Sequence, residues 1–117
     1  MLNARIVEAT GGIKGVRDVH LLESLIERPK SIFGGREMFP TVFEKTAVYL
    51  ESLAKYHVFI DGNKRTALAA SARFLYVNGY RLSASNKAAE EFVLRVAAEK
   101  IDISEIAEWF KKNTKKL

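Results

Sequence analysis

Apolar positions recur along this chain at helical spacing, and no run alternates convincingly as a strand would. Residues 2–9 can start as a helix that Gly11-Gly12 stops within two turns. Leu21, Leu22, Leu25 and Ile26 form one stripe over 19–28, with Asp18 as N-cap and Pro29 ending the run. Residues 31–40 contain Gly34-Gly35 and Pro40 and read as an exposed loop or small hairpin. A stronger helix starts at Thr41 and runs to about Tyr56, with Phe43, Ala47, Leu50 and Ala54 on one face. Thr41 and Glu44 have capping-box spacing. The next helix is expected from about Asn63 to Asn78, closed by Gly79. From Ala67 to Val77 only Ser71 and Arg73 are polar and four positions are alanine, the pattern of a helix at the centre of a bundle. Tyr80-Arg81-Leu82 is too short for more than an extended link. Ser85 caps a helix over about 86–100, with Phe92, Val93, Val96 and Ala97 inward. Asp102 and Glu105 form a second capping-box pair, and Ile101 and Ile106 occupy staple positions around the start of a last helix through about Lys112. The expected architecture is all-α: one domain over 1–117, a compact bundle of about six helices with a central buried helix.

Composition narrows the class. With 48% hydrophobic and 28% charged residues in 117, the chain is an ordinary globular protein able to bury ~65% of its unfolded surface. There is no cysteine, hence no disulfide and no thiolate zinc site, and two histidines, His20 and His57, argue against structural zinc. No apolar run approaches a ~20-residue membrane span, and the N-terminus has no basic flank followed by an apolar stretch. A cytoplasmic protein that does not enter membranes is expected. The net charge is +5, part of it at Lys111, Lys112, Lys115 and Lys116. That run reads as a solvated helix end offsetting the dipole; the functional alternative is contact with a polyanion such as RNA or with an acidic partner. No zinc-finger or RRM signature is present, so direct DNA binding is not expected.

The chemistry concentrates between His57 and Arg65: a histidine, an acid, a glycine turn, an amide and two adjacent cations in nine positions. Placed ahead of an apolar helix, Asn63 opens that helix, whose first amides lack intrahelical acceptors and carry about half a positive charge. Gly62 lets an anion approach the backbone, and Lys64 and Arg65 add mobile cations at the end of the helix where cations are otherwise unfavourable. The combination suits phosphate. His57 can take a proton from a hydroxyl. Asp61 can hold Mg²⁺ against phosphates or orient the attacking hydroxyl. Phe59 is expected to point inward and fix the loop. Each element alone has an ordinary reading: a histidine cap, an Asp-Gly turn, a solvated helix start.

His57, Phe59, Asp61, Gly62, Asn63 and Arg65 together resemble the signature of the Fic/Doc superfamily, His-x-Phe-x-(Asp/Glu)-Gly-Asn-x-Arg-x-x-Arg. The resemblance extends loosely from about Asn3 to the C-terminus, through the Ile32–Pro40 loop and the Asn78-Gly79 helix stop. Set against the family, the N-terminus begins later than is usual, and an incomplete first helix is expected. Two departures, Lys64 where glycine usually stands and Leu68 in place of the final arginine, point to the death-on-curing (Doc) branch. That resemblance implies a toxin that moves the γ-phosphate of ATP to a threonine of elongation factor Tu. It implies His57 as base, Asp61 for Mg²⁺ or substrate orientation, and Gly62, Asn63, Lys64 and Arg65 for phosphates. It also implies that the 31–40 loop is a flap gripping the target backbone. No Ser/Thr-x-x-x-Glu-Gly/Asn self-inhibitory string occurs, so a small, partly disordered antitoxin is the implied control. A Fic-type AMP transferase and a non-catalytic helical binding module are the alternatives, and homo-oligomerisation is left open.

Overall fold

The computed structural model describes residues 19–55 and 63–117. Within them the chain forms five α-helices: α1 (Val19–Glu27), α2 (Val42–Lys55), α3 (Asn63–Val77), α4 (Asn86–Ala98) and α5 (Ile103–Lys112). The expected helix over 2–9, the Asp18 cap and the segment 56–62 lie outside the described residues. None of the described helices is long and apolar enough to cross a membrane.

Local chemistry accounts for most boundaries. At the start of α2 the Thr41 hydroxyl accepts from the Glu44 amide at 3.1 Å and donates to the Glu44 carboxylate at 2.9 Å. At α4 the Ser85 hydroxyl accepts from the Ala88 amide at 3.1 Å. Asp102 occupies the N-cap of α5 but makes no capping hydrogen bond with its side chain, so the second capping box is present in spacing only. Ile101 and Ile106 around it are both buried. Pro29 sits inside a 3₁₀ turn, Arg28–Lys30, that takes over where α1 ends. Gly79, at φ +92°, turns the chain out of α3, and its amide bonds the Tyr76 carbonyl at 3.1 Å.

The centre of the bundle is α2. Eight of its residues are buried, Leu50 and Leu53 fully, and it packs against α3, α4, α5 and the 3₁₀ turn. The stripe Leu22, Leu25 and Ile26 of α1 joins the same core as Phe92, Val93 and Val96 of α4 and Ile106 and Phe110 of α5. The pattern on α3 pointed to that helix as the buried one. Instead α3 buries one face, with Thr66, Ala67, Ala70, Ser71 and Leu75, while Ala69, Tyr76 and Val77 are exposed. Its alanines allow close packing on α2, and Leu68, Ala69 and Ala72 line an open groove.

Two short antiparallel ribbons complete the fold. Ile32–Phe33 (β1) and Arg36–Glu37 (β2) pair as a hairpin, as the glycines at 34 and 35 suggested; both hold positive φ, +59° and +79°. Tyr80–Leu82 (β3) is more than a link: it pairs with Thr114–Lys116 (β4), placing Arg81 opposite Lys115. Each strand is three residues long, too short to show an alternating pattern.

Candidate functional site

The start of α3 falls where the sequence places it, at Asn63. Its first turn carries no acid and two exposed cations, Lys64 and Arg65. Neither cation joins an ion pair among the described residues. Immediately behind them Thr66 and Ala67 are buried, and the Ser71 hydroxyl returns to the Ala67 carbonyl at 2.8 Å. The cations therefore project from a turn whose next residues are locked in the core. A helix N-terminus bearing two unpaired cations repels more cation and attracts anion. His57, Asp61 and Gly62, the candidate base, metal ligand and anion approach, lie outside the described residues. Among those described, no group of three acidic, histidine or cysteine side chains gathers as a metal site.

Beside this turn runs a groove of about 560 Å³ between α3 and α4. Lys64 and Arg65 stand among its lining, and Leu68, Ala69, Val93 and Leu94 give it apolar walls. Asn86 and Glu90 add polar groups along the α4 side. Leu68, the residue in place of the signature's final arginine, is half-buried against the core and forms part of that wall. A guanidinium there would have added a third cation; leucine adds hydrocarbon. The α4 contribution escaped sequence reading, although Asn86, Glu90 and Leu94 recur at helical spacing and mark the face concerned.

The hairpin is the second feature. Phe33 is 80% exposed and Ile32 68%, on a hairpin that pairs with no further strand among the described residues. Its root is tied down. The Met38 amide donates to the Ser31 carbonyl at 2.9 Å, and Lys45 of α2 reaches across to the Glu37 carboxylate at 2.9 Å and to the Phe39 carbonyl. The Lys45 side chain is only 18% exposed. A cation shielded to that degree and bound to both a carboxylate and a carbonyl fixes geometry more firmly than a surface pair does. Nothing in the sequence singles out Lys45, because a lysine in the second turn of a helix looks like a solvated one. A second groove of about 440 Å³ lies at the hairpin root, between Met38, Phe39 and Phe43 on one side and Ile103, Ala107 and Lys111 of α5 on the other.

Three comparisons bear on this arrangement. The Fic/DOC family matches residues 1–75, which include the 57–65 segment and most of α3. Toxin Doc of Mycolicibacterium smegmatis is 41% identical over 101 residues, covering 85% of this chain and 78% of that protein. Protein kinase doc of Escherichia phage P1 is 34% identical over 98 residues, covering 84% of this chain and 76% of that one.

Proposed function

Since the chain belongs to the Fic/Doc family, we propose that it is a Doc-like toxin that transfers the γ-phosphate of ATP to a hydroxyl of a protein. The observation that carries this reading is the acid-free first turn of α3, where Lys64 and Arg65, in no ion pair among the described residues, stand beside the apolar groove. It offers what a polyphosphate needs: backbone donors, two cations and an apolar surface. Asn63, Lys64 and Arg65, with Gly62, hold the phosphates. Asp61 would hold Mg²⁺, which would neutralise charge on the phosphate oxygens. His57 takes the proton of the attacking hydroxyl; its oxygen bonds to the γ-phosphorus as the bond to the β-phosphate oxygen breaks, and ADP leaves. Charge stabilisation is usually the largest contribution in such transfers, so Lys64 and Arg65 matter at least as much as His57.

The finer assignments belong to the same proposal: a threonine of elongation factor Tu as acceptor, arrest of translation as the result, a cytoplasmic setting, and a separate antitoxin as control. Support for the kinase reading over AMP transfer is Leu68, which puts hydrocarbon where the Fic signature holds the nucleotide with arginine. ATP labelled separately at the α- and γ-phosphates, incubated with Mg²⁺ and a bacterial lysate, distinguishes the readings. γ-label on one protein band is expected. α-label would establish AMP transfer instead, and no label from folded protein would favour a binding module. His57→Ala is expected to lose the label and the growth arrest while keeping its helical circular dichroism. A variant as toxic as the parent would remove His57 from the mechanism.

A further inference from the structure

Charge is unevenly divided along this chain. Residues 63–89 and 109–117 carry nine of the 19 lysines and arginines and none of the 14 acids, leaving ten cations against 14 acids elsewhere. The β3–β4 pairing brings these two stretches together in space, and α3 packs on β3. Reading the tail lysines as a helix end covers only Lys111 and Lys112, in the last turn of α5. Lys115 and Lys116 lie beyond it, in a strand with no dipole to offset.

Arg81 and Lys115 stand directly opposite each other across the ribbon. Tyr80, on the other face, packs edge-on against Phe43 at 5.0 Å, so the Arg81–Lys115 pair is directed away from the body of the protein. Like charges facing each other across a strand pair destabilise it. Among the described residues no acid relieves them: Arg81, Lys111, Lys112, Lys115 and Lys116 are all exposed and form no ion pair. An unrelieved cost at a folded surface marks a place where a ligand supplies the missing charge.

We propose that this basic ribbon binds the phosphate backbone of single-stranded RNA. Lysine is depleted at protein–protein interfaces, whereas exposed lysines and arginines are what hold a phosphodiester chain. Tyr76 adds a place for an unstacked base. It is 55% exposed, carries the Arg73 guanidinium 5.5 Å from its ring centre, and its carbonyl anchors the Gly79 turn that opens β3. The Leu117 amide bonds the Gly79 carbonyl at 3.0 Å and keeps the end of β4 beside that turn.

The test is fluorescence anisotropy with a short labelled RNA, unstructured and of mixed sequence, against the full chain. Binding is expected to weaken steeply with salt, by about 0.7 in log K per log salt for each phosphate contacted. Arg81→Glu with Lys115→Glu is expected to weaken binding about tenfold or more at low salt and to flatten the slope by roughly 1.4. Arg81→Ser with Lys115→Ser covers misfolding: its melting temperature should not fall, because a repulsion is removed, while RNA affinity drops. Unchanged affinity in the serine variant would overturn the proposal. Poly-glutamate of equal charge held as tightly as RNA would also overturn it, and would assign the ribbon to an acidic protein.

Discussion

Lys45 shows how one side chain can fix the root of a hairpin. It joins α2 to both β2 and the hairpin exit through Glu37 and the Phe39 carbonyl. If the hairpin is the flap that grips a protein target, Lys45→Met should raise KM for the protein acceptor several-fold, with little change in kcat. Lys45→Arg should restore much of it. Hydrogen exchange at the Met38 amide gives a second reading, since its bond to Ser31 depends on the same root and should open faster in the methionine variant. Tyr49 is the residue for a pH test. Its hydroxyl donates to the Ile26 carbonyl at 3.2 Å, and burial, with Glu27 nearby, pushes its pKa up to about 12 from 10.0. Between those values the unfolded chain loses the proton and the folded one keeps it. Stability from this group is therefore intact below pH 10 and falls as pH rises. The stability of the parent relative to Tyr49→Phe, measured in urea, should shrink between pH 10 and about 12.

Among the elements, two helix starts with the same sequence spacing behave differently. Thr41 makes both side-chain bonds to Glu44, whereas the Asp102 side chain makes no capping bond. Thr41→Ala should cost about 1 kcal/mol, and Asp102→Ala distinctly less, by the midpoint of urea unfolding. Spacing identified both caps but could not tell which side chain closes, because that depends on rotamer and neighbours. The same limit applies to α3. Its near-absence of polar residues was plain, and the start at Asn63 was correctly placed, yet hydrophobicity alone does not say whether an apolar face meets a helix or an open groove. Leu68 and Ala69 turn out to face the groove, and the central helix, with eight buried residues, is α2. The placement of exposed cations at 64 and 65 on the first turn of α3 was legible from the expected helix start. Lys45 was not, since its partners are set by the hairpin's folding back.

Across the whole molecule, the features invisible in sequence are those that join distant segments. The helices were readable because each repeats its pattern over nine residues or more. The β3–β4 ribbon joins residues 80–82 to 114–116 with only three residues a side, so no local signal exists. That ribbon also fixes an order of events. Helices α4 and α5 lie between its strands, so closing it requires gathering an intervening chain of about thirty residues, at an entropic cost that local helices do not incur. The helices and the α2–α3 contact can form from nearby segments; the ribbon cannot. During synthesis α3 is made well before β4 exists to pair with β3. The ribbon is thus a late clasp, and its formation times the completion of the fold rather than its beginning.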